Sequence, residues 1–79
     1  MKYIETRKTS HGEIVKVYEA IVKSKQEAKD IRQRLSEEYK CVVEMSKYEN
    51  IGFDTYTGRE YKKDGLLYHF RIYLDRKEL

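Results

Sequence analysis

The sequence is poor in three features that often fix a fold or a function: cysteine pairs, clustered glycines and long apolar runs. Cys41 is the only cysteine, so no intramolecular disulfide and no cysteine-based zinc cluster can form. The four glycines are scattered, which excludes the phosphate-binding glycine motifs. No apolar run is long enough for a membrane helix or a signal-peptide core. We therefore expect a cytoplasmic protein with a reduced Cys41.

The two histidines give little support to metal binding or catalysis. His11 and His69 lie far apart in sequence and show no metal-ligand spacing. His69 lies close to Arg71 and Tyr73, so an acid–base group would have an anion-binding neighbour, but no nucleophile or carboxylate pair accompanies them. We expect a protein that is not an enzyme and that uses no cofactor and no metal ion.

Length and charge are those of one small domain, which we place over residues 1–79. A chain of 79 residues buries only about 60–65% of its unfolded surface, so its core is small. With no disulfide or metal to add stability, we expect a homodimer. The net charge is +3, and residues 1–25 carry all of the excess, with six Lys or Arg against three Asp or Glu. A dedicated nucleic-acid binder more often shows a denser basic patch.

The first third of the chain predicts a β-hairpin. Residues 2–9 and residues 13–22 are typical of two strands joined by a tight turn, in which Gly12 is free to take a positive φ. Both faces of the second strand are partly apolar, which indicates an interior strand or a covered outer face. We place Val15, Val17 and Ile21 on one face and Ile14, Tyr18, Ala20 and Val22 on the other.

A capping box and an apolar stripe mark one helix. Ser24 and Glu27 have the spacing in which each side chain satisfies a free backbone N–H, which starts the helix at about Lys25. Apolar residues then recur every three or four positions as far as Tyr39. These residues are Ala28, Ile31, Leu35 and Tyr39. One stripe on one helix covers one face of a sheet.

Two further strands complete the predicted fold. Residues 41–48 and residues 66–75 alternate between apolar and other side chains, most clearly in the second segment. We predict an α+β domain with the order β-β-α-β-β, in which a four-stranded, mostly antiparallel sheet has one helix packed on one face. A long hairpin joins the third and fourth strands. The predicted core is Val15, Val17, Ile21, Ala28, Ile31, Leu35, Cys41, Val43, Met45, Phe70, Ile72 and Leu74.

The connection over residues 48–65 is polar and rich in tyrosine. A structureless loop of this length is unusual in a small domain. We therefore interpret the connection as the outer part of the long hairpin, with an irregular loop as the alternative. Glycine in a strand often marks a bulge or bend, so Gly52 and the Asp64-Gly65 pair would mark the place where the ribbon leaves the body.

Two registers of this hairpin keep the apolar faces together. A two-residue turn at Thr57-Gly58 pairs Met45 with Phe70, Val43 with Ile72 and Cys41 with Leu74. A four-residue turn, with Asp54 opposite Arg59, shifts every pair by two residues and preserves the faces. A shift by one residue would place the apolar sets on opposite faces, so it is disfavoured.

The tip of the hairpin is the first candidate site. Tyrosine and arginine are the residue types that most often dominate binding energy. Residues 47–65 contain four basic and four acidic residues, which favours a protein partner over a DNA groove. The predicted partner-binding residues are Tyr56, Arg59, Tyr61, Lys62 and Lys63. The alternative is a solvated hairpin whose aromatic side chains pair with one another.

The sheet face away from the helix is the second candidate site. Interleaved basic and aromatic side chains on an open sheet can stack single-stranded bases. With the basic residues of the first hairpin, the predicted nucleic-acid-binding residues are Arg7, Lys8, Lys16, Tyr18, Tyr48, His69, Arg71 and Tyr73. The same face would also carry Ile14, Ala20, Val22, Val42 and Leu67, which favours a dimer interface equally.

Two functions therefore stay open. The first is a small non-catalytic protein-binding module of the inhibitor or adaptor type, which uses the projecting hairpin. Modules of this kind are frequent in viruses and mobile elements, so we expect such an origin. The alternative is a nucleic-acid-binding regulatory protein that uses the basic first hairpin and the Tyr/His/Arg sheet face.

Overall fold

A four-stranded antiparallel sheet with one helix forms the body of the protein, and a two-stranded ribbon extends from it. The computed structural model describes residues 1–77. Its elements are β1 (Lys2–Lys8), β2 (Ile14–Val22), α1 (Lys25–Tyr39), β3 (Cys41–Tyr48), β4 (Ile51–Asp54), β5 (Arg59–Lys62) and β6 (Leu66–Lys77). The sheet order is β1-β2-β6-β3, and β4 pairs with β5. The predicted fold class is confirmed, and the long hairpin joins β3 to β6.

Local hydrogen bonds fix both ends of α1. The Glu27 N–H donates to Ser24 Oγ at 3.2 Å, and Glu27 Oε2 accepts from the Lys23 N–H at 2.9 Å. The Glu27 side chain of the capping box therefore accepts from Lys23, the residue before the N-cap Ser24. At the other end Lys40 takes a left-handed conformation with φ 54°, and its N–H donates to the Ser36 carbonyl at 2.8 Å. This geometry ends the helix and turns the chain directly into β3.

The core lies between α1 and one face of β2, β6 and β3. Its buried residues are Ala20, Val22, Ala28, Leu35, Cys41, Val43, Tyr68, Phe70 and Ile72. Ile31, Met45 and Leu74 are partly buried and pack against this cluster. The core residues predicted for the helix and for the last two predicted strands are therefore confirmed, because each of those segments has one clearly apolar face.

The residues of β2 divide between two faces as predicted, but the prediction of which face turns towards the helix was wrong. Tyr18 lies opposite Phe70 and Ala20 lies opposite Tyr68, and opposed residues of antiparallel strands share a face. Alternate residues of β2 therefore face α1, namely Ile14, Lys16, Tyr18, Ala20 and Val22. Ile21 faces away from α1 and is 59% exposed. The sequence of β2 places a similar number of apolar side chains on each face. Only its pairing with β6 therefore determines which face packs against α1.

Val15 and Val17 are buried on the face away from α1, which we call the outer face. Val17 has Glu5 on one neighbouring strand and Arg71 on the other, and long polar side chains of this kind cover apolar surface with their stems. The two valines are therefore buried as predicted, but outside the cluster under the helix.

The base of the long hairpin has the predicted register. Met45 pairs with Phe70 and Val43 pairs with Ile72. The predicted pairing of Cys41 with Leu74 was wrong, because an irregularity between Cys41 and Val42 places Cys41 opposite Lys77. The irregularity leaves extra residues near the end of β6, and two of them bond to the chain around the start of β2. Asp75 Oδ2 accepts from the Ile14 N–H at 3.0 Å, and the Arg76 side chain donates to Glu13.

The outer part of the hairpin follows the other predicted register. Asp54 lies opposite Arg59, which leaves a four-residue turn. The base and the outer part of the hairpin thus differ in pairing register by two residues. The chain accommodates this shift at Asn50, Lys63, Asp64 and Gly65, which we call the step. There the Lys63 N–H donates to the Asn50 carbonyl at 2.9 Å, and Asn50 Nδ2 donates to the Asp64 carbonyl at 2.8 Å. Gly65 permits the bend with φ +92°.

The ribbon beyond the step, residues 51–62, is called the arm. Within residues 1–77, neither α1 nor any strand of the body packs against β4 or β5. The molecule is therefore long, with principal extents of 49 × 29 × 15 Å. Its radius of gyration is 14.7 Å, against about 12 Å for a compact domain of this length.

Candidate functional site

The turn at the tip of the arm is ordered by its own backbone and leaves one aromatic ring free. The Gly58 N–H donates to the Asp54 carbonyl at 2.8 Å, and the Tyr56 N–H donates to Asp54 Oδ1 at 2.9 Å. The bond from Tyr56 lowers the pKa of Asp54, because it stabilises the carboxylate. The side chain of Tyr56 is 98% exposed, so the turn presents this ring without covering it.

The two faces of the arm differ in what they expose. On one face Tyr61 lies opposite Gly52 and its ring covers that glycine, where a Cβ would collide with the ring. Tyr61 therefore stabilises the ribbon as well as presenting its outer half. The other face carries Ile51 and Phe53, and Phe53 is 61% exposed. Sequence reasoning missed Phe53, although the alternation of Ile51 and Phe53 around Gly52 was a usable signal.

All five predicted partner-binding residues lie on the arm or at the step, and all five are exposed. Arg59, Tyr61 and Lys62 belong to β5, Tyr56 lies in the turn and Lys63 lies at the step. They do not form one surface, because Arg59 and Tyr61 share a face of the ribbon and Lys62 lies on the other. A partner that contacts all five residues would therefore have to bind along the side of the ribbon or around its tip.

A crevice of about 370 Å³ opens where the arm meets the body, and we call it the root crevice. Tyr48, Ile51 and Leu66 give it apolar walls. Its charged lining residues are Lys47, Lys62, Lys63 and Glu49. The crevice therefore combines apolar walls with an excess of positive charge, although residues 47–65 as a whole are neutral.

On the outer face, one histidine is held by an acidic and an aromatic neighbour. His69 Nε2 lies 3.1 Å from Glu19 Oε2, and the His69 ring lies 4.4 Å from the ring of Tyr48, centroid to centroid. A carboxylate that holds one imidazole nitrogen fixes the orientation of the ring. The pair is therefore a positioned histidine, but no nucleophile accompanies it among these contacts.

Carboxylates also hold the two arginines of β6, Arg71 and Arg76. Arg71 Nη2 donates to Glu44 Oε2 at 3.2 Å, and the Tyr73 hydroxyl donates to the same oxygen at 3.1 Å. Arg76 donates to both oxygens of Glu13 at 2.6 and 2.8 Å, and this pair lowers the pKa of Glu13. Much of the basic charge on the outer face is thus matched by carboxylates beside it.

The predicted nucleic-acid-binding residues are divided between the two faces of the sheet. Arg7, Tyr48, His69, Arg71 and Tyr73 lie on the outer face as predicted, whereas Lys8, Lys16 and Tyr18 lie on the face of α1. The prediction that Lys16 and Tyr18 share the outer face was wrong, for the same reason as the prediction for β2. On the outer face a pocket of about 250 Å³ brings together Arg7, Tyr48, His69 and Arg71.

Lys16 is instead enclosed by tyrosines at the edge of α1. Its Nζ lies 5.7, 5.4 and 5.3 Å from the ring centroids of Tyr3, Tyr18 and Tyr39. It donates to the Tyr39 hydroxyl at 3.2 Å, and the hydroxyls of Tyr18 and Tyr39 lie 3.0 Å apart. Hydrogen bonds with Tyr18 and Tyr39 raise the pKa of Lys16. This cluster ties the first hairpin to the end of the helix and turns Lys16 away from any ligand on the outer face.

Comparison with known proteins found no matching family model, no matching curated protein and no matching solved structure. The part of the chain that the structure describes contains no helix long and apolar enough to cross a membrane. Over residues 1–77, no three His, Cys, Asp or Glu side chains are grouped so that they would hold a metal ion. Any functional conclusion therefore depends on the arm, the root crevice and the outer face themselves.

Proposed function

We propose that this chain is a small non-catalytic protein-binding module, of the inhibitor or adaptor type, that holds a partner protein with its arm and root crevice. The observation that supports this most is the exposure of Phe53, Tyr56 and Tyr61 on a ribbon that no other described element covers. Exposed aromatic side chains grouped on one projection are typical of a binding surface.

The root crevice suggests the chemistry of the partner. Apolar walls favour an aliphatic or aromatic side chain, and the lysines at the rim favour carboxylates beside it. The occupant that fits is an acidic segment of a protein with one apolar anchor. Lys62 and Lys63, which the sequence predicted as partner-binding residues, belong to this rim.

The proposal also covers the cellular location and the origin of the protein. Cys41 is a buried free thiol, which suits the reducing cytoplasm. Small binding modules without catalytic machinery are frequent in viruses and mobile elements, and we propose such an origin. Neither point is needed for the binding surface, which depends only on the arm and the root crevice.

A random-peptide display library provides the test, because it samples apolar, acidic and basic partners without favouring one of them. The wild-type protein is used for selection, and a Phe53→Ala/Tyr56→Ala/Arg59→Ala variant is used for counter-selection. Tyr61 is left in place because its ring covers Gly52. We expect the enriched peptides to carry an apolar residue flanked by Asp or Glu, and to bind the variant at least about tenfold more weakly.

Two matched variants locate the binding. A Lys62→Ala/Lys63→Ala variant removes two of the three lysines that line the root crevice, and a Lys29→Ala/Arg32→Ala variant removes the same charge from the exposed side of α1. Titration calorimetry should show a loss of affinity for the first variant and none for the second. Equal losses for both variants would mean a general charge effect, and no enriched peptide sensitive to the arm would refute the proposal.

The pocket on the outer face supports a second candidate function, nucleic-acid binding. Arg7, His69 and Arg71 line it with Tyr48, a combination that suits a phosphate next to a stacked base. Neighbouring carboxylates already pair with His69 and Arg71, so we rank this function second. Binding of a generic single-stranded oligonucleotide that falls steeply with salt would support it. No binding at low salt would eliminate it.

A further inference from the structure

The edge strand β1 is the least covered part of the body. All seven of its residues are exposed, and among the described elements it packs only against β2. Met1, Tyr3 and Ile4 place three exposed large hydrophobic side chains at its beginning. The edge of β1 that points away from β2 therefore offers unpaired backbone N–H and C=O groups to another strand.

A dimer through the outer face, which the sequence suggested, loses three of its five apolar residues in the structure. Ala20 and Val22 lie in the core under α1. Ile14 also faces the helix side of the sheet. The apolar surface left on the outer face is correspondingly smaller, and β1 becomes the more open route to association.

We propose that β1 pairs antiparallel with β1 of a second copy, so that Thr6 faces Thr6 of the partner subunit. Two copies of one edge strand are related by a two-fold axis perpendicular to the sheet, which keeps each residue on its own face. Only residues separated by an even number of positions then oppose each other. The available registers are therefore centred on a single residue, and the regular part of β1 offers Glu5, Thr6 and Arg7 as centres.

Charge selects among these three registers. A centre at Glu5 places two glutamates together. A centre at Arg7 places two arginines together. A centre at Thr6 opposes Glu5 to Arg7 of the partner subunit twice, and no like charges meet. Opposite charges directly across a strand pair stabilise it, and like charges destabilise it.

The same features explain why this association would be limited and closed. Charged residues and bulges on an edge strand discourage open-ended pairing. Here the irregularity between Tyr3 and Glu5 leaves only a short regular segment, so the contact is smaller than a standard interface and the dimer is weak. The helix covers β2, β6 and β3 rather than β1, and the arm leaves the hairpin between β3 and β6. The paired sheet therefore leaves both arms accessible.

Charge reversal is the first test. Analytical ultracentrifugation of Glu5→Lys and of Arg7→Glu should each show dimerisation weakened about tenfold or more, because two attractive pairs become repulsive. A one-to-one mixture of the two variants should associate at least as well as wild type, because each reversed side chain then meets its opposite. Circular dichroism confirms that the variants are folded, as expected for exposed positions.

Cross-linking is the second test, and it reads the register directly. A Thr6→Cys variant should form a disulfide-linked dimer under mild oxidation, because opposed Cα atoms lie within the range that a disulfide spans. Ser10→Cys in the turn is the exposed control, and the native Cys41 is buried. A mixture that stays monomeric, a dimer insensitive to both reversals, or cross-linking no faster than in the control would each overturn the proposal.

Discussion

The body and the arm are both built from antiparallel strands with aromatic side chains, and they differ in whether a second layer covers them. In the body, α1 covers β6, so Phe70 is fully buried and Tyr68 is 4% exposed. On the arm nothing in residues 1–77 covers β4 and β5, so Phe53 and Tyr61 face solvent. The comparison shows that strand composition alone does not decide burial. For these aromatic side chains a covering layer decides it, and we propose that a partner protein supplies that layer on the arm.

The two regions are also ordered by different means. The body depends on apolar burial, which contributes about 25 cal/mol per Å² of surface removed from water. The arm depends on hydrogen bonds at its two ends, from Asp54 in the turn and from Asn50 at the step. An isolated two-stranded ribbon is at best marginally stable in water. We therefore expect the arm to open more readily than the body, and variants in the two regions should separate accordingly.

The largest expected difference is between two phenylalanines. Phe70→Ala removes a fully buried ring from the core and should lower the free energy of unfolding by about 3–5 kcal/mol. Phe53→Ala removes an exposed ring from the arm and should change it by less than about 0.5 kcal/mol. Urea denaturation followed by circular dichroism measures both. Similar losses for the two variants would show that the arm belongs to the cooperative fold of the body.

A smaller difference is expected between two glycines with positive φ. Gly65 has φ +92° at the step, where a Cβ would lie 2.5 Å from Ile21 Cγ2, whereas Gly58 has φ +70° in the turn with no atom near. Gly65→Ala should cost about 2 kcal/mol in the thermal unfolding of the body, because backbone strain and crowding add. Gly58→Ala should leave body melting unchanged, since its strain of about 1 kcal/mol is confined to the arm. Equal melting temperatures for the two variants would contradict the role given to the step.

The smallest expected effect is a local response of the turn to acid. Bonds from backbone N–H groups lower the pKa of Asp54 below its ordinary 3.8 in the folded arm. Such a group contributes stability above its unfolded pKa, and the contribution is lost as the pH falls through the folded pKa. The amide resonance of Tyr56 should therefore move below about pH 4 in an NMR titration, and the movement should disappear in Asp54→Asn. A Tyr56 amide that titrates unchanged in Asp54→Asn would show that another group controls the turn.

Sequence reasoning succeeded where a segment had one apolar face. The strict alternation over residues 66–75 and the stripe of α1 predicted both the core under the helix and the Met45–Phe70 and Val43–Ile72 pairs. It failed for β2, because both of its faces are partly apolar and only its neighbours assign them. Lys16 shows the consequence: it was predicted on the outer face, yet it lies among tyrosines beside α1.

The candidate site was only partly visible in the sequence, for a different reason. Tyr56 and Arg59 were identified by residue type and by their position at the tip of a hairpin. Phe53 was missed because it lies in a polar stretch. The root crevice was not predictable, because it forms at the step, where two hairpin registers meet that the sequence offered only as alternatives.

The step has one further consequence, for how such a chain changes over time. Asn50 and Gly65 reconcile two pairings locally, so residues can be gained or lost beyond them in matched numbers without disturbing Met45, Phe70 or any other pair beneath α1. We therefore expect the outer segment to tolerate changes of length and composition while the folded body stays the same.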